Sequence, residues 1–402
     1  MRRLRPLKSL IHDAVDATTH LVAEGHASAS RLVEKTAGAV PELAEPVALA
    51  GALHRGGTDA VLGTVRGVNR IVEGITDAAL DLVPQTDGPE PALPLDEGTL
   101  RSGAGAADQL LGVLNGAVGD HLAQTGNGLS LALRLRHGPD WLTAEAPAPA
   151  EATGHVAVLV HGLSTTEASW CFGATAQLGA PDAHFGRLLQ ADLGVTPLFA
   201  RYNTGRTVAV SGDALAAALE RTLAAWPVPV QSVTLIGHSM GGLVCRAASQ
   251  GLALPEGARL SVACLGSPHR GAPLARLGEA ATRTLLAVDL PGTRVVGKIL
   301  EGRSAGIQDL GEAAALRAGP LRDDLDYLFV AGSLGGDPIP VVDDILGDML
   351  VPVDSARGPR GADAHDRVTT RRFGGVAHHQ LQTHREVYGA LRDWMEARRA
   401  DG

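Results

Sequence analysis

Two periodicities divide the chain. Up to about residue 122 the apolar positions recur at steps of three and four. Leu4, Leu7, Leu10, Ile11, Ala14 and Val15 open the series, and Val61, Val65, Val68, Val72, Ile75, Ala79 and Leu82 continue it. That spacing lines one face of a helix, with Arg66, Asn69, Arg70, Glu73 and Asp77 falling off it. The Pro-, Gly- and acid-rich run from Pro84 to Pro94 reads as a linker. Leu100, Ala104, Ala107, Leu111, Leu114, Val118 and Leu122 then predict a further helix.

From Gly126 to His137 the period falls to two. Leu129, Leu131, Leu133 and Leu135 alternate with Ser130, Ala132, Arg134 and Arg136, which predicts a half-buried strand. His137-Gly138-Pro139-Asp140 is turn chemistry. Beyond an Ala/Pro spacer, strands are predicted at His155–Val160, Thr196–Ala200, Ser232–Ile236, Leu260–Leu265, Tyr327–Ala331 and Val368–Phe373. Several are near-continuous apolar runs, as parallel strands covered on both faces require. Helices are predicted at Asp213–Ala225, Met240–Gln250 and Arg385–Arg399. The alternation makes the fold class α/β, a mostly parallel sheet flanked by helices.

Composition narrows the function. The chain has 402 residues, 35 basic against 44 acidic, and 3% aromatics. A net charge of −9 with so few aromatics lacks the footprint of a nucleic-acid binder, so no nucleic-acid partner is expected. Cys171, Cys245 and Cys264 are too scattered for a disulfide framework or a zinc site and read as small buried apolar residues; no metal and no cofactor is expected. Asp13 and Asp16 interrupt any signal-peptide core behind the basic opening. No run of roughly 20 apolar residues escapes charge, so the expected location is cytoplasmic.

The richest chemistry lies at Gly237-His238-Ser239-Met240-Gly241, where an apolar strand meets a helix-forming run. A serine on such a sharp turn needs small neighbours, because its backbone is strained and other chains crowd it. The turn lifts the hydroxyl above the sheet at a helix N-terminus.

This run resembles the nucleophile elbow of the α/β-hydrolase superfamily, and bacterial lipase/esterase-like members in particular. Other segments follow in that family's order across residues 127–400. Val156–Leu163, with His161-Gly162, is similar to the strand that contributes to the oxyanion hole. Leu265–Leu274 resembles the segment after the next strand. Gly347-Asp348-Met349-Leu350-Val351-Pro352 is similar to the segment bearing the acid, with Met349 where glycine is usual. Gly375-Val376-Ala377-His378, followed by Val387-Tyr388, resembles the histidine loop and last helix. Asn115–Leu122 resembles a segment that precedes the hydrolase domain in some relatives.

Serine needs a base to remove its proton, and histidine suits that task near neutral pH. A carboxylate then orients the ring and stabilises the imidazolium. Ser239 is the expected nucleophile. His378 is the preferred base over His379 and His384, and Asp348 the preferred acid over Asp337, Asp343 and Asp344. The backbone N–H groups of Met240 and Leu163 are the expected oxyanion donors. His161, His238 and His269 read as hydrogen-bonding residues that hold loops.

Residues 1–125 are expected to form an N-terminal helical region and residues 126–402 the catalytic domain. An insertion at 271–321, helical at Leu277–Leu286 and Val295–Ile299, would serve as a cap. Trp170 and Phe172 are candidates to flank a substrate. The front helices either pack on one another or on the hydrolase body, or make a weak membrane or lipid-surface contact. The 12 basic and 18 acidic residues of positions 1–150 disfavour electrostatic membrane attraction. The expected activity is hydrolysis of small-molecule or lipid carboxylic esters through an acyl-enzyme. Alternatives are acyl transfer by the same residues and a non-catalytic interaction module on this scaffold.

Overall fold

The computed structural model describes residues 92–272, 304–311, 318–335, 347–362 and 365–400. Of these, residues 92–124 and all the described residues from 130 onward belong to one compact unit. Of the other unit, residues 125–129 are described, and there Asn127 Oδ1 accepts from the Leu129 amide at 2.9 Å. The helix expected along the stripe from Val61 to Leu82 and the cap helices at Leu277–Leu286 and Val295–Ile299 lie outside the described residues, as do Asp337, Asp343 and Asp344.

An eight-stranded sheet runs in the order β2-β1-β4-β3-β5-β6-β7-β8. Its members are β1 (Arg134–His137), β2 (Asp140–Trp141), β3 (His155–Val160), β4 (Thr196–Arg201), β5 (Ser232–His238), β6 (Arg259–Leu265), β7 (Asp326–Ser333) and β8 (Val368–Gly374). β1 pairs antiparallel with β2 and β4, and every other pairing is parallel. The expected strand at 126–137 therefore shortens to its last four residues.

The apolar runs have a direct cause. Val156, Val158 and Val160 face one core while Ala157 and Leu159 face the other. β6 and β7 divide likewise: Val262, Cys264, Tyr327 and Phe329 point one way, Ala263, Leu265, Leu328 and Val330 the other. Helices cover both faces. α1 (Gly103–Gln124) precedes the sheet and kinks at Val118. α2 (Phe185–Leu193) and α5 (Arg385–Ala400) bury Phe185, Leu189, Leu391 and Trp394 on one face. α3 (Val208–Ala224) and α4 (Met240–Gly251) bury Leu215, Leu219, Leu243 and Val244 on the other. Each such side chain contributes about 1.5–3 kcal/mol. Trp170 belongs to this interior, fully buried with its ring 6.0 Å from that of Phe185, so it does not flank a substrate. The sheet ends on strands unsuited to further pairing: two-residue β2, and β8 with Thr369, Thr370, Arg371 and Arg372.

α1 departs from its apolar stripe. Ala104 and Ala107 are exposed, whereas Gly105, Asp108, Gly112, Gly116 and Gly119 are buried. A Cβ at Gly116 would lie 2.1 Å from Ser164 Oγ, and one at Gly119 1.9 Å from Asn203 Oδ1. Leu111, Leu114, Val118 and Leu122 of the stripe are buried as expected, and close backbone-to-loop contact at the glycines adds a second seat for this helix. Among the described residues, no helix is long and apolar enough to cross a membrane.

Candidate active site

Ser239 stands between β5 and α4 with φ 54° and ψ −124°, a conformation that L-residues adopt rarely and at a cost of about 1–3 kcal/mol. The neighbouring glycines make it possible. A Cβ at Gly237 would lie 2.3 Å from the Gly241 carbonyl carbon, and one at Gly241 would lie 2.3 Å from the Val160 oxygen. The serine amide is tied to the Leu265 carbonyl of β6 at 2.8 Å. The Gly-x-Ser-x-Gly spacing thus reflects two close backbone approaches on either side of one strained residue.

His378 opens a short 3-10 turn after β8, and Asp348 lies in the loop after β7. Their side chains meet: His378 Nδ1 donates to Asp348 Oδ2 at 2.8 Å, and the His378 amide donates to the Asp348 carbonyl at 2.9 Å. Asp348 is fully buried, and its other oxygen accepts from the amides of Leu350 at 3.1 Å and Val351 at 2.9 Å. The loop that presents it contains Met349 at φ 90°, where the resemblance led one to expect glycine. Glycine would suit that left-handed backbone, and Met349 holds it half-exposed instead.

With Nδ1 engaged by Asp348, the second ring nitrogen of His378 is Nε2. The ring and Ser239 border one cavity of about 220 Å³. Gly162 brings the loop after β3 against the serine, since a Cβ there would lie 3.1 Å from Ser239 Cβ. Leu163 follows it and lines the cavity. Met240 opens α4, where backbone N–H groups have no carbonyl one turn back. All five residues singled out in the sequence therefore lie around the Ser239 turn or in the loop bonded to His378. His379 is exposed at the cavity lining, and His384 stands immediately before α5.

The other histidines hold loops, as expected, though not all locally. His161 Nδ1 contacts the Gly162 carbonyl at 3.0 Å, and its ring stacks on Tyr202 with centroids 4.6 Å apart. His269 Nδ1 accepts from the buried Arg246 guanidinium at 3.0 Å. His238 reaches 140 positions along the chain to the carbonyl of His378 at 2.9 Å. Burial drives all three below the ordinary imidazole value, His161 to about 4 and His238 to about 3, so they are neutral. The three cysteines are free and buried.

Sequence reasoning missed a buried charge lattice beside the site. Arg201 at the end of β4 forms two bonds to Asp108 of α1, at 2.8 and 2.9 Å, and two to Glu167, at 2.6 and 2.8 Å. Arg136, expected on the solvent side of β1, is 1% exposed and donates to Glu167 at 3.0 Å. Burial opposes the Glu167 charge, but Arg201 and Arg136 outweigh it and hold the carboxyl below its usual range. Missed too were Gln109 and Val113 of α1, which line the cavity. The available signal was Asp108 within an apolar helix, beside glycines at positions 112, 116 and 119.

The family of PGAP1-like alpha/beta domains matches residues 202–282, from the end of β4 through the Ser239 turn. Among solved structures, the chain is similar to a lipase of Bacillus licheniformis in its propeptide form, at 18% identity and a TM-score of 0.41, over 61% of this chain and 51% of that one. It spans about half the length of that lipase. It is also similar to an esterase of Pyrococcus furiosus, at 13% identity and a TM-score of 0.40, over 61% and 82% of the two chains. A thermophilic esterase of Thermogutta terrifontis with malate bound is similar at 14% identity and a TM-score of 0.38, over 61% and 91%. No curated protein matches the sequence significantly. The mostly parallel sheet flanked by helices, with the serine turned between β5 and α4, is the arrangement of an α/β-hydrolase fold, and the PGAP1-like match covers 81 of the 402 residues across that turn.

Proposed function

We propose that this chain hydrolyses carboxylic esters through an acyl-enzyme on Ser239. The observation that carries the reading is the 2.8 Å bond between His378 Nδ1 and the fully buried Asp348, beside a serine held in a strained turn on the same cavity. A carboxylate so placed fixes the ring with its proton on Nδ1, leaving Nε2 as the base.

Ser239 Oγ attacks the ester carbonyl as His378 Nε2 takes its proton, and an Oγ–C bond forms. The N–H groups of Met240 and Leu163 hold the oxyanion; each such donor contributes about 3–4 kcal/mol to the barrier reduction. His378 passes the proton to the departing alkoxide as the ester C–O bond breaks. Water then attacks the acyl-enzyme, giving its proton to His378, and the Oγ–C bond breaks to release the carboxylic acid. His378 returns the proton to Oγ. Atoms and charge balance without a cofactor.

A fluorophosphonate probe tests the reading. Covalent labelling that maps to Ser239, with loss of both labelling and ester turnover in Ser239→Ala, is the expected result. A chain that never labels and turns over no ester would instead be a binding module.

A further inference from the structure

The described part of the front segment does more than precede the sheet: α1 walls the cavity. Val113, 1% exposed, and Gln109 line it together with Leu163, Phe172 and Leu350. Val113, Leu163, Phe172 and Leu350 give the cavity an apolar part beside the hydroxyl-bearing Ser164, Thr165 and Thr166, and an acyl chain would lie against that apolar part. The space they leave, about 220 Å³, is below the roughly 300–1,000 Å³ of pockets that hold drug-sized ligands.

This wall cannot retreat to admit a longer chain. A Cβ at Gly112, the neighbour of Val113, would lie 2.9 Å from the Thr165 carbonyl carbon, and the Gly116 and Gly119 contacts continue that seam. Asp108, one turn earlier, is held by the buried Arg201 guanidinium and by Thr166 Oγ1 at 2.9 Å. At the far end, Ser304 Oγ donates to the Gly116 carbonyl at 2.7 Å, and the Ala305 amide to Asp120 at 3.0 Å. Close-packed interiors deform little, and a helix pinned by an ion pair and backbone contact is part of the body.

We propose that α1 is the chain-length gauge of this enzyme, with Val113 as the specificity-determining residue, and that the substrates are small esters with short acyl chains. The proposal rests on the ester-hydrolase reading. One methylene accommodated or refused in an apolar pocket changes discrimination roughly 10- to 200-fold, so a single side chain on a fixed wall suffices to set a cutoff.

The test compares kcat/KM for p-nitrophenyl acetate, butyrate and octanoate in the full chain and in Val113→Ala and Val113→Phe, with thermal melts for each. Expected is a wild-type preference for butyrate over octanoate of at least about tenfold. Val113→Ala raises the octanoate-to-butyrate ratio by about tenfold, and Val113→Phe lowers the butyrate-to-acetate ratio. A wild type that prefers octanoate, or a folded Val113→Ala whose ratio moves less than about twofold, overturns the gauge while ester hydrolysis stands. Absence of all turnover together with absence of phosphonate labelling at Ser239 overturns both.

Discussion

His238 Nε2 donates to the carbonyl oxygen of His378 at 2.9 Å, and the two imidazoles lie 4.8 Å apart at an interplanar angle of 48°. The residue preceding Ser239, the proposed nucleophile, thus grips the backbone that carries His378, the proposed base. Asp348 grips that residue too, at its side chain and its amide. The His378 loop is held from both the β5 and the β7 sides, which fixes the ring without packing it shut.

Removing that grip is expected to slow chemistry before it weakens binding. His238→Phe deletes the donor and leaves the His378 carbonyl unpaired. A shift of about 1 Å in the base costs on the order of a hundredfold in rate. We expect kcat to fall about ten- to hundredfold, with partial recovery in His238→Gln, whose amide can still donate. Steady-state kinetics of both variants decide it. Equal losses in the two would mean that the imidazole fills space and nothing more.

Asp348→Asn separates the acid's charge from its shape. Asn Oδ1 can still accept from Leu350 and Val351, so melting should shift little. The amide nitrogen, however, would face His378 Nδ1 and force the ring proton onto Nε2, where it blocks acceptance from Ser239. A fall in kcat of about 10⁴ is expected, as for the wrong tautomer in serine triads. A variant retaining more than about a tenth of the wild-type rate would remove Asp348 from the mechanism.

Stability should depend on pH through the buried histidines. Desolvation depresses His161 to about 4 and His238 to about 3, and holds His269 well below the ordinary imidazole value. Unfolding returns each to about 6.5. Between pH 6.5 and about 4 the unfolded chain therefore binds more protons than the folded one, and stability rises with pH across that window. Each histidine contributes about 1.4 kcal/mol per pH unit there. Thermal melts should drop by at least about 5 °C from pH 7 to pH 5. Glu167 adds to the loss only below about pH 4.5, as acid reaches its depressed range. A midpoint that is flat from pH 7 to pH 5 contradicts the assignment of neutral, desolvated rings.

Much of the scaffold was written locally. His155–Val160 and the other parallel strands announce themselves because both faces are buried, which leaves no room for polar alternation. The Ser239 turn is legible because its glycines answer a stereochemical demand within five residues. Asp348 was preferred on the resemblance and on the apolar run that follows it, and the structure adds that its carboxylate accepts from the amides two and three positions on. Met349 shows the limit of such reading: the backbone adopts φ 90° although the residue is not glycine.

What the tertiary structure decided are pairings between distant segments. Period alone put Arg136 on the solvent face of β1. Folding buried it, because Glu167 and Arg201 supply a partner and a neighbour that no local pattern encodes. The same holds for α1, whose leucine stripe was visible but whose glycine seam on Ser164 and Asn203 was not. The grip of His238 on His378 likewise spans 140 positions. Turn geometry and burial periodicity depend on neighbours along the chain, so sequence carries them. The wall and the second grip depend on which surfaces meet after the sheet has closed its order, and only the packed fold supplies that.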